Sequence, residues 1–364
     1  MVLKRSLGKL DHRLRTHLDE RRRHLGNKNQ ASHILSVLAE HGHKLSDLDR
    51  RTCRDYAADV LGNAKYEYWL RVFCAVNGEF KSGWIPDDYY LDFVVPRWNG
   101  EPGRTSYSKS ISNDILKTPL LPDVLIFING LFVTPSGHTI PEEQVKSHLF
   151  AASERIVFKA DNSIQGRGIS ILDQRHFDLS FVKPLGNGVF QCFVNQHPDL
   201  DKYAPGVAST LRLTTTKDDN GIVTLRGAIL RLGRTASQYL KSKEQLAIAV
   251  NVETGEMDKA AVDPNFIKIK AHPDTGEPFD GGIYPEFEAA KQAVLELHET
   301  VSLSRCIGWD VVVDDNQDVK IIEWNGYYNG LRGHEAMQGP VMLGLGWEHF
   351  WKEAPLAKSQ HTLF

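Results

Sequence analysis

IGWDVVVDDNQDVKIIEWNGYYN, residues 307–329, carries two apolar runs, Gly308–Val313 and Val319–Trp324, around a polar Asp-Asp-Asn-Gln-Asp cluster. That is the pattern of a short β-hairpin. If Asp315–Asp318 form a four-residue loop, Asp314 faces Val319, and counting back sets Asp310 opposite Glu323. Side chains alternate along a strand, so Glu323 and Asn325 share a face and Asp310 joins them. The same count assigns Gly308, Val312 and Ile321 to that face, and Trp309, Val311, Val313, Ile322 and Trp324 to the other. Two carboxylates and an amide oxygen at one end of an apolar surface suit Mg²⁺ holding nucleotide phosphates, because Mg²⁺ takes one or two carboxylates plus phosphate oxygens. Solvated turn chemistry is the competing account, and it covers Asp314, Asp315 and Asp318. It fits Asp310 and Glu323 less well, since each interrupts an apolar run and an unpartnered buried carboxylate is costly.

The chain around this hairpin has 364 residues, enough for two or three subdomains. Hydrophobic residues make up 41% and charged residues 24%, and the formal net charge is −3, so nothing global points to nucleic acid or to a membrane. Cys53, Cys74, Cys192 and Cys306 lie far apart, without CxxC spacing. They read as reduced, packed thiols. Neither a signal peptide nor an 18-residue apolar run is present, so the expectation is a cytoplasmic chain without stable membrane insertion.

Leu7, Leu10, Leu14, Leu18 and Leu25 form a helical stripe in a basic segment that includes Arg13, Arg15 and Arg21–Arg23. The expected packing sets the leucines on their own domain and the arginines in water; an acidic membrane surface is the alternative. Helices continue through residues 31–75. A loop-rich region follows to 104, then a short helix over Lys109–Lys117, and a strand pair over Val124–Val133 around Asn129-Gly130.

Residues 154–172, ERIVFKADNSIQGRGISIL, bring a lysine, Lys159, on a strand that enters a loop with Ser163, Gly166 and Gly168. Such a hairpin can fold over a polyphosphate while the lysine supplies a point charge. It is not a Walker loop, which needs GxxxxGK[ST] before a helix. Residues 188–201 read as a strand whose end, Gln191 to Phe193 and Val194, can hydrogen-bond an adenine edge; His197 is a loop histidine. The alternating strands 209–216 and 223–232 carry Arg212 and Arg231 at similar places, suited to phosphate or a substrate carboxylate. A turn-rich insert, 251–283, offers His272, Asp274 and Asp280 for a substrate-facing loop, with turn composition as the equal alternative. A helix from Pro285 to Val301 leads to the hairpin, and the aromatic tail 342–364 closes the core.

In that order (lysine strand, glycine loop, adenine edge, arginine strands, then Asp310 and Glu323-Trp324-Asn325), the chain resembles the ATP-grasp superfamily. The wordings TLRLTT, ILRLG, HPDTG, GWDVVVDDNQDVKIIEWN and Gln338-Gly339-Pro340 resemble its sugar-transfer-associated group over about residues 105–345. The resemblance implies an α+β fold, two α+β subdomains whose antiparallel sheets enclose the nucleotide, after a helical N-terminal region. The boundaries are 1–104, 105–187 and 188–364. It implies ATP and Mg²⁺ as cofactors, with Lys159, Ser163, Gly166 and Gly168 at the phosphates and Gln191, Phe193 and Val194 at adenine. Asp310, Glu323 and Asn325 would hold the metal, and Arg212 and Arg231 the transferred phosphate. A second phosphate lysine is expected, with Lys109 and Lys117 both candidates. Gln191 and Gln196 depart from the family, where an acid is common. The implied activity is a carboxylate–amine ligase acting through an acylphosphate on small-molecule substrates, such as a sugar acid or amino acid in polysaccharide or secondary-metabolite synthesis. A small-molecule kinase and a non-catalytic nucleotide-binding module are the alternatives.

Overall fold

The computed structural model describes residues 2–151, 153–163, 168–234 and 244–353, with side chains from residue 18 onward. It is an α+β protein that divides into two units, Met1–Pro96 with Gly330–Phe364, and Arg97–Asn329. Among the described residues no helix is long and apolar enough to cross a membrane.

The first unit is helical. A long helix, α1 (Val2–Glu40), is followed by α2 (Asp47–Asp59) and α3 (Glu67–Asn77). Ser46 and Asp49 form a reciprocal capping box at the start of α2, and left-handed Gly78 ends α3. Of the leucine stripe, the side chains of Leu7, Leu10 and Leu14 lie outside the described residues, and Leu18 and Leu25 are not packed as expected: they are 49% and 55% exposed, and among the described side chains of α1 burial sets in at Ala31, Ile34 and Leu38. The aromatic tail behaves as a core element of this unit, with Trp347 fully buried and its carbonyl accepting from the Tyr89 hydroxyl at 2.8 Å.

The second unit holds two antiparallel sheets. The smaller is built from β1 (Asp123–Ile128), β2 (Leu131–Val133), β3 (Thr139–Ile140), β4 (Arg155–Ala160), β5 (Ile169–Asp173) and β6 (Gly188–Cys192), in the order β3-β2-β1-β6-β4-β5. Asn129 and Gly130 both take positive φ, 53° and 84°, the tight reversal that lets β1 and β2 pair directly. The larger sheet comprises β7 (Thr210–Lys217), β8 (Val223–Leu232), β9 (Leu246–Val250), β10 (Ala261–Val262), β11 (Lys268–Ile269), β12 (Cys306–Val313) and β13 (Val319–Asn325). Its order is β11-β10-β9-β8-β7-β12-β13. The helix Phe287–Thr300 packs Phe287, Ala290 and Val294 into the same core as Leu211, Leu213, Trp309, Val311 and Trp324.

The β12–β13 hairpin forms with Asp310 opposite Glu323, as counted from the sequence, but by a different route. Asp314 belongs to the loop, where its Oδ1 accepts from the backbone of Asn316 and Asp318, both at 2.9 Å. Val313 therefore pairs with Val319, one residue off the expected register, and a bulge between Asp310 and Val311 restores it. The bulge reverses the faces of the outer half of β13. Ile321 is fully buried in the core with Trp309 and Trp324, and Ile322, not Ile321, is the residue turned from it.

Candidate active site

Three neighbouring strands set charged residues abreast: Arg212 on β7 pairs with Asp310 on β12, which pairs with Glu323 on β13. Directly opposed residues share a face, so this is one row across the sheet. Arg231 on β8 joins it diagonally, paired with Thr210 two residues before Arg212. The Arg212 guanidinium grips Asp310 with two bonds, Nε to Oδ1 at 2.7 Å and Nη2 to Oδ2 at 2.9 Å, and Arg231 Nη1 lies 3.4 Å from Oδ1. Burial alone would raise the Asp310 carboxyl, but the Arg212 and Arg231 guanidiniums outweigh it and hold the group below its usual range. Burial, then the adjacent Arg212 charge, pulls Arg231 down to about 10.

Asn329, which sequence reasoning passed over, anchors this pair. Arg212 Nη1 donates to its backbone oxygen at 3.0 Å and to its Oδ1 at 3.2 Å, while its Nδ2 donates to Thr214 Oγ1 at 3.0 Å. Gly308 is required for this approach, since a Cβ there would lie 1.8 Å from Asn329 Oδ1. Asn325 Nδ2 donates to the Gly308 carbonyl at 3.2 Å, so its amide nitrogen is tied to β12.

The smaller sheet and a 3₁₀ turn each supply one cation to the same place. Lys159, 7% exposed on β4, donates from Nζ to the Ile322 carbonyl at 2.9 Å. The bulge explains that acceptor, because the residue skipped in the ladder is Ile322. Burial draws the Lys159 ammonium below the ordinary lysine range, with Glu323 opposing. Lys109, equally buried in a 3₁₀ turn, lies 3.4 Å from Glu323 Oε1 and donates to the Ser163 carbonyl at 3.0 Å. Of the two lysines left open by the sequence, Lys109 is at the site, whereas Lys117 is an exposed left-handed residue after a short helix. A cavity is lined by Lys109, Lys159, Glu323, Ile322, Asp123 and Gln191 among others.

Other expected residues sort as follows. Ser163 Oγ donates to the Ala160 carbonyl, and Gly168, with φ 77°, accepts on its carbonyl from the Ala160 backbone. Gly166 lies outside the described residues. Gln191 is buried on β6 and its side chain is engaged by Asp123, with Nε2 donating to Oδ1 at 2.8 Å. Phe193 lies under the Arg155 guanidinium, 3.7 Å from ring centroid to Cζ, and Val194 follows in the loop. Gln196 Oε1 accepts from the Ser209 backbone. His272 is buried against the Gly233 carbonyl, Asp274 is ion-paired to Arg234, and Asp280 lies 3.4 Å from the Tyr203 hydroxyl. Each thus has a partner within the fold. His197 caps a short helix, as a loop histidine does.

The description "Sugar-transfer associated ATP-grasp" belongs to a protein family whose profile matches residues 179–345. No curated protein matches the chain. Among solved structures, the biotin carboxylase domain of Hydrogenobacter thermophilus 2-oxoglutarate carboxylase, in complex with MgADP, ADP and bicarbonate, is 14% identical. It aligns over 70% of this chain and 47% of that one, with a TM-score of 0.42. The ATP-grasp ligase PsnB with its minimal precursor is 13% identical over 69% and 64%, TM-score 0.40. N5-carboxyaminoimidazole synthetase from Staphylococcus aureus is 11% identical over 67% and 50%, TM-score 0.38. The chain spans less than two thirds of each of these structures. The hairpin, both arginine strands and the helix before the hairpin all fall inside the stretch that matches the sugar-transfer associated ATP-grasp profile, residues 179–345.

Proposed function

We propose that the chain is an ATP- and Mg²⁺-dependent ligase that joins a carboxylate to an amine through an acylphosphate. The observation that carries this reading is the row Arg212–Asp310–Glu323, met by Lys159 from the other sheet and by Lys109 from a 3₁₀ turn. Four cationic side chains around two carboxylates make a site for polyphosphate, and no nucleophile or acid–base triad is needed where positioning and charge do the work.

The donor set suits a hard cation. Asp310 and Glu323 offer carboxylates, and Asn325, its nitrogen tied to Gly308, offers an amide oxygen. Asp310 is in the grip of Arg212, so that guanidinium has to yield some of its hold for the carboxylate to serve as a ligand. Asp310, Glu323 and Asn325 would hold Mg²⁺, which when bound neutralises phosphate charge. Lys109 and Lys159 would take phosphate oxygens, with Ser163 and Gly168 beside them. Arg212 and Arg231 would stabilise the phosphoryl group as a substrate carboxylate oxygen bonds to the γ-phosphorus and the bond to ADP breaks. An amine nitrogen then bonds to the acyl carbon, phosphate departs and the amine proton passes to solvent. The reading extends to a sugar acid or an amino acid as the carboxylate substrate.

A screen of carboxylates crossed with amines, read as ADP release with Mg²⁺ present, tests this. ADP release that needs both partners is expected. A stable phosphorylated product formed without any amine would replace the ligase with a kinase.

A further inference from the structure

Lys109 reaches the charge row from a segment too short to hold itself. Its 3₁₀ turn spans only Lys109–Ile111, and the Ser108 side chain does not cap it. So short a turn has poor hydrogen-bond geometry and leaves its leading N–H groups without partners inside it. The missing acceptor comes from Asp161, where the chain leaves β4. Its Oδ1 accepts from the Ser110 backbone at 2.9 Å, and its Oδ2 from Ser110 Oγ at 2.6 Å. The next two residues bond the same segment. Asn162, left-handed at φ 54°, donates its N–H to the Tyr107 carbonyl at 2.8 Å, and the Ser163 carbonyl accepts from Lys109 Nζ at 3.0 Å. The Asp161 N–H in turn donates to the carbonyl of Asn187, just before β6, at 2.8 Å, which fixes the clasp to the smaller sheet.

We propose that Asp161 is a positioning residue for the phosphate site, clasping Ser110 so that the adjacent Lys109 is held at Glu323. The inference rests on the nucleotide-site reading given above. Both oxygens of Asp161 are engaged by Ser110, and a carboxylate repels phosphate, so its part in nucleotide binding runs through the turn. Lys109 carries its charge on a flexible stem, with Nζ 3.4 Å from Glu323 Oε1. Where that charge sits is therefore set by where the backbone at 109–110 is pinned. Removing the carboxylate leaves the N–H and hydroxyl of buried Ser110 without their acceptor, and the turn must shift to recover one. That shift carries Lys109 away from the phosphates. Lys159 is spared, because its place is fixed by the β4 ladder and its Nζ by the Ile322 carbonyl.

Isothermal titration with Mg²⁺ and adenylyl imidodiphosphate tests the inference without knowing the carboxylate or amine substrates. Asp161→Ala should weaken binding at least about tenfold, the scale of one hydrogen bond to a charged group. A double-mutant cycle decides how it does so. In a Lys109→Ala background Asp161→Ala should weaken binding by less than about twofold, because the side chain it positions is gone. In a Lys159→Ala background it should again weaken binding about tenfold. A residue that merely supports the fold would weaken all three backgrounds alike; that result overturns the proposal, as does wild-type affinity for Asp161→Ala. Should Asp161→Ala melt below the assay temperature, Ser110→Ala takes its place in the same cycle. A loss confined to chains that keep Lys109 supports the proposal, and no loss, or an equal loss in every background, overturns it. The nucleotide-site reading fails separately, if the wild-type chain does not bind the nucleotide or if Lys109→Ala and Lys159→Ala both leave its affinity unchanged.

Discussion

Gly308→Ala should unlock the buried charge row without replacing a charged residue. The new Cβ would meet Asn329 Oδ1 at 1.8 Å and Cγ at 2.6 Å, against the 3.0 Å below which real contacts essentially never fall. Asn329 must therefore retreat by more than about 1 Å. Retreat breaks its bond to Thr214 and its side-chain bond to Arg212, at 3.0 and 3.2 Å. One lost neutral bond and one lost bond to a charged group contribute about 2–4 kcal/mol, and overpacking adds roughly 1–3 kcal/mol. The expected loss is about 4 kcal/mol, read by urea unfolding with tryptophan fluorescence. Nucleotide affinity should fall as well, because Arg212 loses the anchor that aims it at Asp310. A stability within 0.5 kcal/mol of wild type would refute the reasoning, since it would mean the anchor can shift at almost no cost.

Three more outcomes follow from buried titratable groups and from the hairpin. Trp309 Nε1 donates to Thr215 Oγ1, which donates to His298 Nδ1, whose Nε2 donates to the Ser304 carbonyl; burial lowers His298 to about 4. A depressed histidine stabilises the fold above its unfolded pKa near 6.5 and loses that contribution, about 3 kcal/mol in all, as pH falls through 4. His298→Gln should flatten this part of the stability profile measured by urea unfolding between pH 7.5 and 4; an equally steep variant would contradict it. Glu335 is fully buried with Oε1 unpartnered, and burial holds its carboxyl well above the ordinary range. The stability it contributes is present below the unfolded pKa and is lost as pH rises, so Glu335→Gln should melt higher than wild type at pH 8 and not at pH 4. Glu323→Gln should lower ADP release at least about a hundredfold, as removal of a group central to phosphate positioning does. Unchanged turnover would remove the ligase reading.

The hairpin was legible because alternation and a polar loop cluster are local signals, and Asp310 opposite Glu323 follows from counting. The bulge was not: it depends on Asp314 bonding into its own loop, a choice between two turn lengths that share one composition. Lys159 could be read from its strand, whereas Lys109 could not be told from Lys117. Their difference is tertiary, one facing Glu323 and the other capping a helix into solvent. Asn329 and Asp123 gave no signal in sequence, since an asparagine after a hairpin and an aspartate opening a strand are ordinary turn-proximal residues. What marks them is the partner each meets, Arg212 and Gln191. Leu18 and Leu25 of α1 misled in the opposite direction, because helical spacing describes a stripe and does not say what covers it.

The central claim is that Asp310, Glu323 and Asn325 hold a divalent cation against the phosphates that Lys109 and Lys159 receive. A crystal structure with Mg²⁺ and adenylyl imidodiphosphate tests it most directly. The account predicts one or two metal ions bonded to those three side chains at about 2.1 Å, with both lysines on phosphate oxygens and Arg212 turned toward the γ-phosphate. A nucleotide bound elsewhere, or an Asp310 still clasped by Arg212 with no metal beside Glu323, would contradict it.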